Sequence, residues 1–312
     1  VRPSDQNRAK ILDAALIKFN SQIRPLPGIV DPVARSVLVE QMIDSARRVA
    51  YAHFVRDEKF DVGRGDPSKD IFDPLRAAVL QMRKGQYDEA CWLVFLFVHF
   101  GKHPKDGWRL VRDIYGGLGA ATWTWARIGA NPQAFQNWLA ANANKLKGDG
   151  ISRRFGNHRK YESLSSTSPA GTAAVVISYI NWVSPPRTHQ QLIKDAHKQV
   201  GQNPHEVFDY LYDSMNSVRR FGRLAKFDYL TMLGKLGLAP IEPGSAYLGE
   251  ATGPRRGAQL LFRGSLNVKV RAKDLDAWLN ELDNVLRVGM QVLEDAICNW
   301  QKSPRKFIHF RG

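Results

Sequence analysis

The chain has 312 residues, with 45 lysines and arginines against 30 aspartates and glutamates, and two cysteines. At 44% apolar and 10% aromatic it has the means to bury one large core or two ordinary ones, which excludes an intrinsically disordered chain. A formal charge of +15 leaves many cations without an acid, so the expected partner is a polyanion, nucleic acid first.

Apolar residues three and four apart predict helices over 8–20, 32–55 and 72–83. Asp31-Pro32 and Asp73-Pro74 each supply an N-cap followed by Pro at the first helical position. Tyr87 to Phe100 is apolar nearly all round, as a helix at the centre of a fold is, and Gly101 ends it. Short helices follow at 107–115, 120–128 and 132–146, set apart by Gly or Asn-Pro. Between 145 and 172 Gly, Ser, Thr, Asn and basic residues crowd together and the apolar period is lost, which reads as a long ordered loop or a hinge. Helices return at 171–182, 188–200, 204–215 and 217–236, with Pro185-Pro186 as a break. After a turn-rich stretch over 239–252 they resume at 253–262, 272–286 and 290–301. Only Leu260 to Val270 reads as a strand. The expected fold class is all-α, two packed helical regions at 1–145 and 146–312 that form one catalytic unit.

Cys91 and Cys298 are too few for a disulfide framework or a four-cysteine zinc site, so a reducing compartment is the simpler expectation. The apolar run Trp92 to Val98 is far below the roughly 18 residues of a membrane span, and no charged-then-apolar leader opens the chain. A soluble, cytoplasmic protein without a membrane partner is expected. The histidines lack metal-ligand spacing, and neither a Walker loop nor a dinucleotide fingerprint is present, so no metal and no cofactor are expected.

The cations cluster. Lys145, Lys147, Arg153, Arg154, Arg159 and Lys160 fall within a stretch whose one acid is Asp149. A second group is Arg219, Arg220, Arg223 and Lys226, and a third runs from Arg255 and Arg256 to Lys273 without an acid. Solvated helix faces explain many such runs, but three clusters on a strongly basic chain point to a surface that neutralises phosphates.

The last helix carries the most organised polar pattern. At about 100° per residue, Gln291, Glu294, Asp295, Cys298 and Lys302 share one arc, opposite Leu293, Ala296, Ile297 and Trp300. A carboxylate there can stabilise an oxocarbenium ion or activate water, and Lys302 can hold a phosphate; an ordinary amphipathic helix with its polar side in water has the same spacing. Asp228 is a rival carboxylate that spacing leaves open. The segment FGNHRKYESL from Phe155 puts Asn157, His158, Arg159, Lys160 and Tyr161 in one loop, a set suited to phosphate contacts and to stacking on an extruded base, or to a mobile basic loop. LGEATGPRRGA from Leu248 has a Gly-containing turn of the kind with which a helix-hairpin-helix element offers N–H groups to a phosphate, flanked by Arg255 and Arg256. It lacks the usual Gly-x-Gly, and a plain N-capped helix is the other reading. Trp108, Trp123, Trp125 and Trp138 are expected mostly in the core, and His99 is expected to be a hydrogen-bonded interior histidine.

Several blocks combine into a resemblance: RPLPGI at Arg24, WLVFLFVHFGKH at Trp92, GWRLVRDIYGGLG at Gly107, FGNHRKYESL at Phe155, RRFGRLAKFDYLTMLGKLGL at Arg219, ATGPRRGAQLLF at Ala251 and MQVLEDAICNWQK at Met290. Over nearly the whole chain they resemble the alpha-glutamyl/putrescinyl thymine pyrophosphorylases, in particular the third clade. The resemblance implies a helical fold similar to the helix-hairpin-helix DNA glycosylases and action on a base in DNA. Phage members displace pyrophosphate from a pyrophosphorylated hydroxymethyl-uracil with an amine or amino acid, and bacterial relatives of the third clade include glycosylases that excise sugar-decorated bases from phage DNA as a defence. The family pattern of a carboxylate, then Cys, then Lys matches Glu294, Cys298 and Lys302, while Asn299 stands where many relatives carry an acid.

Three readings follow. In the first, the chain is a monomeric DNA glycosylase that removes a hydroxymethylated or glucosylated pyrimidine from phage DNA. Glu294 or Asp295 then supports charge at the anomeric carbon, with Asp228 as rival, and Lys302 lies beside them. DNA is held by Arg153, Arg154, His158, Arg159, Lys160, Arg219, Arg220, Arg223, Arg255 and Arg256, and the base by Asn157, Tyr161, Gln291 and Cys298. In the second, a transferase attaches an amine or amino acid, and Lys302 with Arg223 stabilises the leaving pyrophosphate. In the third, the chain only binds modified DNA. A chain without a kinase motif does not make its own pyrophosphorylated substrate, which favours excision.

Overall fold

The structure, a computed structural model, describes residues 2–309. They are all-helical, with no strand among them. Helix α1 (Gln6–Gln22) leads through a 3-10 turn to α2 (Pro32–Asp57), where Asp31 Oδ1 accepts from the Val33 N–H at 2.9 Å. α3 (Pro74–Arg83) starts at Asp73, whose carboxylate accepts from the N–H groups of Leu75 and Arg76 at 3.0 and 3.1 Å, donors that the first helical turn leaves without partners. α4 (Tyr87–Phe100) ends at Gly101 with φ +65°, a conformation that a β-carbon disfavours.

Next come α5 (Arg109–Tyr115), α6 (Trp125–Ala130), α7 (Pro132–Ala141) and α8 (Ala143–Gly148). The helix expected over 120–128 begins later, because Leu118 and Gly119 have positive φ and Thr124 caps the new start, its Oγ1 accepting from Arg127 N–H at 3.4 Å. The helix expected over 132–146 breaks at Asn142. α9 (Thr172–Val183), α10 (His189–Val200) and α11 (Pro204–Ser214) follow, then α12 (Arg223–Leu236), which starts after the left-handed Arg220 and not at Ser217. α13 (Gly253–Arg263), α14 (Ala272–Leu286) and α15 (Met290–Trp300) complete the fold.

The strand expected over 260–270 is not formed. Leu260, Leu261 and Phe262 complete the last turn of α13, and Gly264 ends it at φ +68°. The apolar residues beyond belong to a loop held by side chains of that helix. Gln259 Nε2 donates to Val268 O at 2.7 Å and Arg255 Nη2 to Val270 O at 3.1 Å.

The described residues divide into two compact units, one built from residues 2–52 and 243–309, the other from His53 to Glu242. The break expected at 145–146 falls inside the second. The first unit's core joins Leu16 and Phe19 of α1, Leu38 and Met42 of α2, Leu279 of α14, and Ile297 and Trp300 of α15. Gly257 of α13 lets that helix meet α15 closely, since a β-carbon there would lie 2.3 Å from the Ile297 carbonyl oxygen. In the second unit α4 is buried on nearly every side, as its composition predicts. Its Phe95 ring stacks on Tyr179 of α9 at 3.9 Å and on Phe221 at 5.0 Å. His99 is interior, with Nε2 3.2 Å from Thr172 Oγ1, and burial pulls its pKa down to about 3. Among the described residues no helix is long and apolar enough to cross a membrane.

Candidate active site

The stretch between α8 and α9 is ordered. The Gly156 N–H donates to Phe100 O at 2.8 Å, and a β-carbon at Gly156 would come within 2.9 Å of the Lys102 backbone. Arg159 Nε donates to Val98 O at 2.8 Å. Both bonds satisfy carbonyls at the C-terminus of α4, which the helix itself leaves open, so the basic loop is fastened to the central helix of its unit. Asn157 and His158 lie exposed in its 3-10 turn, and Tyr161 is 80% exposed with Lys160 Nζ 5.0 Å from its ring centroid.

The predicted phosphate contacts differ in how much charge they leave open. Arg153 is 3% exposed and sits between Asp113 at 2.6 Å and Asp149 at 2.7 Å, so its charge is already matched. Arg154 makes a two-pronged contact with Asp106 at 2.8 and 2.9 Å, and Arg220 pairs with Glu162 at 3.2 Å. Among the described residues Lys160 and Arg219 are exposed and face no acid; Arg219 Nη1 donates to Pro169 O at 3.3 Å. Arg223 is buried, its guanidinium carbon 5.3 Å from the Phe227 ring.

Asp228, one residue further along α12, meets this loop: Arg159 Nη2 stands 3.5 Å from Asp228 Oδ2. The Asp228 side chain keeps 41% of its surface open. The protein packed around that opening nevertheless raises its pKa above the ordinary aspartate value, against the pull of Arg159, His158, Arg223 and Lys235. Asp228 thus combines a face open to solvent with surroundings that oppose its ionisation. Burial also lowers the pKa of Arg159, whose guanidinium stays charged at any ordinary pH.

In the first unit the polar arc of α15 is not simply turned to water. Glu294 is buried, and Asp295 receives Arg48 of α2 through Nε at 3.2 Å and through Nη2. Arg48 also bonds Asp44, which His309 Nδ1 approaches at 2.9 Å. Asn299 is buried between the remaining charges. Its Nδ2 donates to Asp295 Oδ1 at 2.9 Å and its Oδ1 accepts from Lys302 Nζ at 3.1 Å. An amide donates on one side and accepts on the other, which a carboxylate at 299 would not do. Cys298 lies against α13, where a β-carbon at Gly253 would come within 2.7 Å of its Sγ. Gln291 is half-buried at the start of the helix. The partners Asp44 and Arg48 escape sequence reasoning, because nothing local ties residue 48 to residue 295.

Leu248 to Ala258 folds as a 3-10 turn over Leu248–Glu250 that runs into α13, with Pro254 in its first turn. Thr252 makes no side-chain cap, Arg256 is exposed, and Arg255 is half-buried against Val270.

The predicted site residues thus fall into two sets. Asp228 and the loop from Arg153 to Tyr161, with Arg219, Arg220 and Arg223, belong to one unit, and Glu294, Asp295, Cys298, Lys302, Gln291, Arg255 and Arg256 to the other. Searches among curated proteins and among solved structures find no match. The family model described as alpha-glutamyl/putrescinyl thymine pyrophosphorylase clade 3 matches residues 33–312, all but the first 32 residues, and the chain belongs to that family.

Proposed function

We propose that the chain is a DNA glycosylase that excises a modified pyrimidine, hydroxymethylated or glucosylated, from phage DNA and leaves an abasic site. The observation that supports this reading best is the Asp228 carboxylate, open to solvent beside Arg159, in surroundings that raise its pKa. Departure of a base breaks the bond between its ring nitrogen and C1′, the electron pair leaves with the base, and positive charge develops at C1′. An ionised carboxylate partly screened from water by the surrounding protein stabilises that charge more than it would in bulk water. A water oxygen then bonds to C1′ and its proton passes to the same carboxylate, whose raised pKa suits a base working nearer neutral pH. Lys160, Arg219 and Arg256 hold phosphates, and Tyr161 with Asn157 and His158 meets the extruded base.

Asp228 is preferred to the carboxylates of α15. Asp295 is held by Arg48 and Asn299, and Glu294 is buried, so their roles in this reading are to fix α15 with Gln291, Cys298 and Lys302 beside them. Purified protein incubated with unmodified, hydroxymethylated and glucosylated DNA should release one modified base, seen by mass spectrometry, with matching abasic sites. Asp228→Asn should abolish release while leaving DNA binding intact, and Asp295→Asn and Glu294→Gln should each retain a measurable fraction. Release by Asp228→Asn at the wild-type rate would move the chemistry to α15.

The family's own description favours a second reading, attachment of an amine or amino acid to a pyrophosphorylated base. Intact glycosidic bonds in every DNA tested, together with pyrophosphate release from pyrophosphorylated DNA and an amine, would establish it in place of excision.

A further inference from the structure

The second unit buries a chain of polar side chains that base excision does not use. Asp88 Oδ1 accepts from the His189 backbone N–H at 2.7 Å and from its Nδ1 at 2.7 Å. With the proton assigned to Nδ1 by that contact, Nε2 is an acceptor, and it stands 2.7 Å from the Tyr179 hydroxyl. The Tyr179 oxygen is 2.9 Å from the Tyr229 hydroxyl. The donors therefore run one way, from Tyr229 to Tyr179 to His189 to Asp88. His189, Tyr179 and Tyr229 are buried, and burial lowers the His189 pKa, so the ring is neutral.

Asp88 alone among the four reaches solvent, 29% exposed, in a recess of about 370 Å³ walled by Trp125, Ala126, Pro185 and Arg187. Burial opposes its ionisation, but the two bonds from His189 prevail and its pKa lies below the ordinary value. Oδ2 accepts no hydrogen bond from the described residues, and no lysine or arginine among them pairs with this carboxylate. Arg187 is engaged elsewhere: Nε donates to Val183 O at 2.7 Å, Nη2 donates to Trp182 O at 2.6 Å, and Nη1 lies 3.8 Å from Asp195. The Trp125 ring is set 4.7 Å from the His189 ring, beside the same carboxylate.

A surface aspartate has no need of a hydrogen-bonded support three side chains deep. Such a buried network is costly unless every member is satisfied, and what it achieves is one fixed orientation of the outermost group, as supporting shells do around binding residues. Here that group is an ionised acid without a cation, in a chain that carries fifteen excess positive charges. The missing partner is a cation, and the indole and proline walls suit one with an apolar stem.

We propose that this recess binds a small organic ammonium ion, with its N–H groups on Asp88 Oδ2 and its alkyl stem against Trp125 and Pro185. The site is independent of the excision reading and is tested without DNA. Calorimetric titration of the full chain with n-butylammonium should saturate, while n-butanol and butyrate should not. Asp88→Asn should weaken binding at least about tenfold, as loss of a charged hydrogen-bond partner does. Because that variant also disturbs His189, Ala126→Phe provides the second arm: it fills the recess from an exposed position of α6, and should abolish binding at an unchanged melting temperature. Equal heats for butanol and butylammonium, or undiminished binding by folded Ala126→Phe, would overturn the assignment.

Discussion

Asp228 and Asp295 are both aspartates on helices beside an arginine, and they differ in what surrounds the pair. Asp295 accepts from two Arg48 nitrogens and from Asn299, so its oxygens are committed. Asp228 meets one arginine nitrogen at 3.5 Å and keeps an open face. The raised pKa of Asp228 has a sign that kinetics can read. The ionised form required in excision is lost on acidification at a higher pH than for an ordinary aspartate, so the acid limb of the kcat profile should lie above the ordinary aspartate value. Arg159 works against the burial that raises this pKa, and Arg159→Gln should therefore move the limb further up. A profile recorded on variant and wild type at a temperature where both remain folded decides the matter. An acid limb that does not move in Arg159→Gln would show that another group titrates.

At the scale of elements, the close approach of α13 to α15 is open to mutation. Gly257→Ala forces a β-carbon to within 2.3 Å of the Ile297 carbonyl, backbone of a packed helix that has no room to give, and α13 must move away from α15. A loss of about 1–3 kcal/mol is expected from urea unfolding, the usual range for overpacking, whereas Gly249→Ala, with nothing within 4 Å, should be near neutral. Helices were legible in the sequence because their apolar period is local. Tyr87–Phe100, with its glycine stop, and Pro74–Arg83, with its Asp-Pro start, needed no tertiary information. The apolar residues after Leu260 misled because a helix end and a loop anchored by Gln259 and Arg255 mimic a short strand. The polar arc of α15 was legible as an arc, but its meaning was not. Whether Glu294 faces water or protein, and that Asp295 belongs to Arg48, depends on contacts between residues about 250 positions apart. Asn299 shows the same limit, since its amide acquires its sense only between Asp295 and Lys302.

For the whole molecule, +15 sets the strength of the attraction to a polyanion but not where it acts, and the pairing of the arginines separates the two. An arginine already facing two carboxylates releases no counterion from DNA, whereas an exposed cation facing none does. Arg153, between Asp113 and Asp149, is of the first kind, and Lys160, Arg219 and Arg256 are of the second. The slope of log K against log salt for duplex binding should therefore fall by about 0.9 for each of Lys160→Gln, Arg219→Gln and Arg256→Gln, and by nearly the sum in the triple variant. Arg153→Gln should leave the slope unchanged and lower the melting temperature instead, because the buried guanidinium bridges two carboxylates, of which Asp113 keeps Arg112 and Asp149 loses its arginine. Fluorescence anisotropy over a range of salt concentrations distinguishes the two behaviours directly. A slope untouched in the triple variant would mean that the phosphates meet a different face of the chain, and a slope reduced by Arg153→Gln would mean that its ion pairs open when DNA binds.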